Sequence, residues 1–135
     1  MSAEGFIKVV ETRESPYILV SFYRSDCRLC SEEMPDLIQL QEQPQDGVSV
    51  ILVSIDEANY EPKTTRFLEN HDVDFPTYHL DLEAAQRFIL SRYPQWDGST
   101  PLNMIFTQEG ALVEVTGMTD RKEVRLIVHE HQTFR

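Results

Sequence analysis

The chain has 135 residues, with 23 Asp plus Glu against 12 Lys plus Arg and a formal charge of −11. That balance excludes a nucleic-acid binder, since phosphate contacts need clustered basic side chains, and it disfavours anionic membrane surfaces for the same reason. With 41% hydrophobic and 26% charged residues, the composition is that of a soluble globular protein, expected as one domain over residues 1–135, and no segment approaches the ~20 apolar residues of a membrane span.

In chain order, Phe6, Val9 and Val10 fall at helical spacing and suggest a short helix ending near Arg13, broken by Ser15-Pro16. Tyr17 to Tyr23 is an apolar run that reads as a buried strand, and the amphipathic segment after Cys30 runs as a helix to about Gln43. Val48 to Ile55 is a near-continuous β-branched run, the mark of a strand covered on both faces. Two such strands joined by a helix form a right-handed parallel βαβ unit. Glu61 to Asn70 reads as a helix with Pro62 in its first turn, Phe75 to Leu80 as a short edge strand, and Leu82, Ala85, Phe88 and Ile89 as one face of a helix stopping before Pro94. Leu102–Thr107 and Ala111–Thr116 flank Gln108-Glu109-Gly110 and read as a β-hairpin. The last element is a helix from about Asp120 to His131, with Val124, Ile127 and Val128 inward and Thr119 or Asp120 as its cap. The expectation is an α/β fold with a central mixed sheet flanked by helices.

Cys27 and Cys30 are the only cysteines, and they stand where the first strong strand passes into a helix. A helix N-terminus offers unsatisfied N–H groups and the positive end of the macrodipole, which favour thiolate over thiol, and the thiolate is the form that attacks disulfides. The alternatives are two structural thiols or a metal site. Tetrahedral zinc needs four ligands, and His71, His79, His129 and His131 show no finger-like spacing, so no metal is expected. The His129-Glu130-His131 pair reads as a solvated helix end, and Phe67, Phe75, Phe88 and Phe106 read as core. Arg24 and Arg28 should lower the Cys27 pKa and Asp26 should oppose them. The expected sum, with the helix terminus, is a modest depression.

Ile18 through Cys30 resembles the strand and redox loop of the thioredoxin superfamily, and Cys30-Ser31-Glu32-Glu33-Met34-Pro35-Asp36-Leu37 is similar to the Cys-x-x-Glu-Met-Pro-x-Leu stretch of the TlpA/ResA-like thiol-disulfide oxidoreductases. The resemblance implies a thioredoxin-like fold with an extra helix and strand, here about residues 57–80, inserted after the second core strand. It implies protein dithiol–disulfide exchange without a bound cofactor, Cys27 acting as nucleophile and Cys30 as the resolving thiol. It also implies a cis-proline at Thr100-Pro101, offering backbone to a substrate chain beside the disulfide, and a proton-managing role for Glu33. Ser21 stands where thioredoxin has a buried aspartate. The sequence departs from the family at Asp26, usually tryptophan, and at Arg28-Leu29, which contains no proline. Trp96 either forms part of the substrate-facing rim or packs.

The implied partners are protein thiols or disulfides and a partner reductase or oxidase, with the chain acting as a monomer. Met1 to Gly5 has no basic region leading into an apolar core, so no signal peptide is expected. That leaves a cytoplasmic protein, or one of the periplasm or cell envelope after removal of a leader. Within enzymes, a cytosolic thioredoxin-like reductase or peroxide-handling protein competes with an envelope reductant. From another class, the competitor is a redox-inactive binding or metal-handling module on the same fold.

Overall fold

The two apolar runs form the centre of the sheet. In the computed structural model, which describes residues 1–134, β1 (Tyr17–Tyr23) is buried at every position and β2 (Val48–Ser54) at all but Ser49. They pair in parallel from Tyr17 beside Val48 to Tyr23 beside Ser54, and α2 (Arg28–Glu42) makes the crossover between them. α1 (Ala3–Glu11) precedes this unit, its first turn capped by the Ser2 hydroxyl accepting from Gly5 N–H. After β2 come α3 (Glu61–Asn70), β3 (Tyr78–His79) and α4 (Leu82–Leu90), the last capped by Asp81. β4 (Leu102–Thr107) and β5 (Leu112–Thr116) form the hairpin, with Gly110 at φ +95° in its turn, and α5 (Arg121–Phe134) follows. β3 adds parallel to β2, β4 antiparallel to β1, and β5 antiparallel to β4, giving the order β3-β2-β1-β4-β5.

Strand alternation divides the core into two layers. Ile18, Val20 and Phe22 of β1 join Ile51, Val53, Met104 and Phe106 under α1 and α4, where Phe6 and Phe88 lie edge to face with centroids 5.0 Å apart. Leu19 and Tyr23 face the other way, joining Val50, Leu52 and Ile105 against Met34, Leu37 and Leu40 of α2, Phe67 of α3 and Val124 of α5. Each such fully buried side chain contributes about 1.5–3 kcal/mol of transfer free energy. The alternation also decides where polar strand residues go. Ser21 and Asn103 stand directly opposite each other across β1 and β4, and both project into the layer that holds α2.

The expected order of elements, the hairpin and the mixed sheet are all present. The strand expected over Phe75–Leu80 is reduced to Tyr78–His79, because Pro76 has no N–H to donate and ladder pairing with β2 starts only beyond it. Phe75 is accordingly half-buried at the margin of the α2 layer. Of the two caps considered for α5, Asp120 makes the capping bond, its carboxylate accepting from Glu123 N–H at 2.8 Å. His131, expected in a solvated helix end, is half-buried, its Nδ1 2.7 Å from the Tyr17 hydroxyl. Among the described residues no helix is long and apolar enough to cross a membrane.

Candidate active site

The turn after β1 makes Cys27 the N-cap of α2, in extended conformation, and its sulfur accepts the Cys30 N–H at 3.2 Å. Cys27 and Cys30 are joined in a disulfide with Cα atoms 5.2 Å apart. Cys27 is half-buried and Cys30 fully buried, so only the first sulfur is open to attack by a substrate thiolate. Thr100-Pro101 is a cis peptide, and the Thr100 carbonyl oxygen lies 3.6 Å from Cys27 Sγ, where a reduced thiol can donate to it.

Two braces hold this loop pair. Arg24 donates to the Gly98 carbonyl at 3.1 Å and reaches the Thr100 hydroxyl at 3.5 Å, while the indole N–H of Trp96 donates to the Ser99 carbonyl at 2.9 Å. Trp96 is only 9% exposed and packs in the α1/α4 core layer, with one side lining a shallow depression beside Pro101. On the other flank, buried Asp56 accepts from Ser25 N–H at 2.9 Å and from the Thr64 hydroxyl, tying the residues before Cys27 to α3. Burial and the nearby Asp56 carboxylate hold the Tyr23 phenol above its usual range, so it stays neutral.

Both arginines near Cys27 have partners of their own. Arg28 turns along α2 to pair with Glu32 at 3.0 Å, both side chains largely in solvent, and Arg24 is occupied by the 98–100 loop. Neither guanidinium is committed to the sulfur. The helix N-terminus and the Cys30 N–H remain as the groups favouring the thiolate.

Glu33, one turn of α2 beyond Cys30, is 1% exposed. Its carboxylate accepts from Asn103 Nδ2 at 3.1 and 3.3 Å, from Thr119 N–H at 3.0 Å and from the Ser21 hydroxyl at 3.3 Å. Burial pushes its pKa up to about 7 against the pull of these donors, with Asp36 adding a smaller push in the same direction. The carboxyl thus titrates near neutrality beside the position that Ser21 occupies. Among the described residues no group of three or more His, Cys, Asp or Glu side chains is gathered to hold a metal ion.

Sequence reasoning singled out Glu33 and Ser21 but not Asn103, and considered Thr119 only as a cap. The signal for Asn103 was present: it is the one amide in Leu102–Thr107, a run otherwise built of strand formers. Asp56, next after the Val48–Ile55 run, was not singled out. A buried carboxylate after such a run has to be paired, and that also was readable.

The Redoxin family model matches residues 9–94. "Thioredoxin-like protein YneN" of Bacillus subtilis is 32% identical over 60 residues, a match covering 44% of this chain and 35% of that protein, so the chain spans about a third of this curated relative's length. Among solved structures, a thioredoxin-related protein of Neisseria meningitidis serogroup B superposes with TM-score 0.73 at 18% identity, covering 91% of this chain and 90% of that one. A thiol:disulfide interchange protein of Chlorobium tepidum superposes with TM-score 0.68 at 18% identity, covering 91% and 82% respectively. StoA from Bacillus subtilis gives 0.62 at 15% identity, covering 87% and 85%. These likenesses establish the thioredoxin-like fold that the sequence led us to expect. With the family match extending over more than half of its length, the chain belongs to the Redoxin family.

Proposed function

We propose that the protein is a thiol-disulfide oxidoreductase that exchanges electrons with protein cysteines through Cys27 and Cys30. The observation that carries this reading is the graded access of the two sulfurs at the start of α2, one half-buried at the N-cap and one sealed beneath it. In the reducing direction, the Cys27 thiolate attacks a substrate disulfide, one substrate sulfur leaves as thiolate, and a mixed disulfide forms. The Cys30 thiol gives its proton to the Glu33 carboxylate, attacks Cys27 Sγ and releases the second substrate thiolate, leaving the Cys27–Cys30 disulfide. Two electrons pass to the substrate, and a partner dithiol restores the pair. The oxidising direction is the reverse.

Thr100 and Pro101 serve in this reading as the substrate-facing strand end beside Cys27, and Trp96 as the brace that fixes them from within. The groups lie on one sheet with a core layer on each face, which supports a single domain, and in this reading the chain acts as a monomer. The test is reduction of insulin disulfides with a dithiol supply. Wild type should accelerate precipitation and Cys27→Ser should abolish the acceleration. A wild type indistinguishable from buffer refutes exchange and leaves a redox-inactive binding role. The equilibrium potential of the pair then assigns direction, a value of about −270 mV marking a reductant and about −120 mV an oxidant.

A further inference from the structure

Beside Cys27 lies a groove of about 440 Å³ between the start of α2 and the outer face of α3. Its lining inverts the charge of the molecule. Lys63 and Arg66 face it together with His71 and with Arg28, which is paired to Glu32, and Asp26 is its only acidic member, in a chain where acids outnumber bases 23 to 12. Lys63 and Arg66 are exposed on successive turns of α3, and no ion pair among the described residues engages either one. Lys63 lies over the Tyr60 ring at 4.6 Å, which positions the ammonium without neutralising it.

The groove has a fixed floor. Phe67 is buried and stacked on Tyr23 with centroids 5.1 Å apart. His71 Nδ1 lies 2.8 Å from the Phe67 carbonyl, so it carries the proton, and Nε2 accepts from the Ser31 hydroxyl at 3.0 Å, bolting α3 to α2. Lys63 and Arg66 are therefore carried on a helix tied to the one that presents the reactive sulfur and that itself carries Arg28.

We propose that this groove selects substrates by an acidic segment flanking the cysteine that reacts with Cys27. The inference rests on the thiol exchange proposed above and names its substrate class: a protein disulfide with Asp or Glu on the side that runs toward α3. At long range the field of a −11 chain repels an acidic partner. Within a Debye length of ~8–10 Å the local cations dominate, so the preference belongs to segments in contact and not to acidic proteins in general.

The test compares three peptides carrying the same disulfide with flanking Glu-Glu, Gln-Gln or Lys-Lys, at low and high salt. The readout is the ratio of kcat/KM for the Glu peptide to that for the Lys peptide within each protein. Wild type should favour the Glu peptide by about tenfold at low ionic strength, the lower end of electrostatic steering, and lose most of the preference in 0.5 M salt. Lys63→Glu/Arg66→Glu should reverse the ratio, whereas Lys8→Glu/Lys122→Glu, with the same net-charge change at exposed positions on other helices, should keep it. A ratio that both double variants shift equally overturns the proposal, since the field of the whole chain then suffices. A gain confined to glutathione disulfide, with none for the peptides, overturns it in favour of a small anionic disulfide. Failure of wild type to reduce any peptide overturns thiol exchange itself, a result distinct from exchange without charge preference.

Discussion

At the scale of single residues the site depends on how one carboxyl is held. Glu33 sits in a pocket that penalises its charge and supplies donors that favour it, and the balance leaves it near pH 7. In the role proposed for it, acceptor of the Cys30 proton, it should give resolution of the mixed disulfide a pH dependence with a midpoint at about 7. Rapid-mixing kinetics of wild type and Glu33→Gln across pH 5.5–9 test this; the Gln variant should be slower and lack that step, and superimposable profiles would remove Glu33 from the reaction. Asn103→Ala should move the midpoint upward, because hydrogen bonds to the carboxylate lower its pKa and losing these leaves only Thr119 and Ser21 to oppose desolvation. It should also cost about 1–3 kcal/mol in urea denaturation, since the Gly117 carbonyl that Asn103 serves at 2.7 Å loses its donor. Glu33 was legible in the sequence through the resemblance of Cys30 to Leu37 to the Cys-x-x-Glu-Met-Pro-x-Leu stretch. Its partners were not, since Ser21, Asn103 and Thr119 lie 12, 70 and 86 positions away, the first two brought together by the β1–β4 register and the third by the loop after β5.

At the scale of elements, the sequence was most legible where burial is two-sided. β1 and β2 announce themselves as unbroken apolar runs because both faces are covered, and the hairpin is marked by its glycine. β3 was overextended because apolar content persists through Phe75 while the Pro76 backbone cannot pair. Pro35 sits inside α2, where a proline removes one helical hydrogen bond, and the buried row of Cys30, Met34, Leu37 and Leu40 carries the helix through it. The inserted α3 is joined to the site by Asp56, whose two oxygens serve Ser25 N–H and the Thr64 hydroxyl. Asp56→Ala strands the Ser25 N–H, while the Thr64 hydroxyl keeps the Tyr60 carbonyl as acceptor, and should lower stability by about 1–3 kcal/mol while raising amide exchange at Ser25. Loss of stability with unchanged exchange there would show that the loop before Cys27 is held by something other than α3.

For the whole molecule, proton binding links the site to folding. An exposed glutamate with the reference value of 4.5 releases its proton well below neutrality, whereas folded Glu33 keeps its proton to about 7. Between those values the folded state binds one more proton than the unfolded chain, so raising the pH favours unfolding. The stabilisation is therefore complete below about 4.5, declines through the interval and is gone above about 7, a loss of about 3 kcal/mol. Asp97 is shifted the opposite way, its carboxyl lowered by Ser99, and acts below this interval; Tyr23 acts far above it. The remaining acidic surface relaxes its self-repulsion as pH falls, so the wild-type curve alone mixes several contributions. Subtracting the urea stability of Glu33→Gln at each pH cancels them, since the variant carries the same surface. The difference should fall by about 3 kcal/mol from pH 4.5 to above 7 and level off there, and parallel curves would mean that the buried carboxyl does not hold its proton in the folded protein. In the proposed exchange Glu33 has to be ionised to take the Cys30 proton, and ionised Glu33 is the form that costs the fold stability, which couples the exchange-competent site to the least stable form of the molecule.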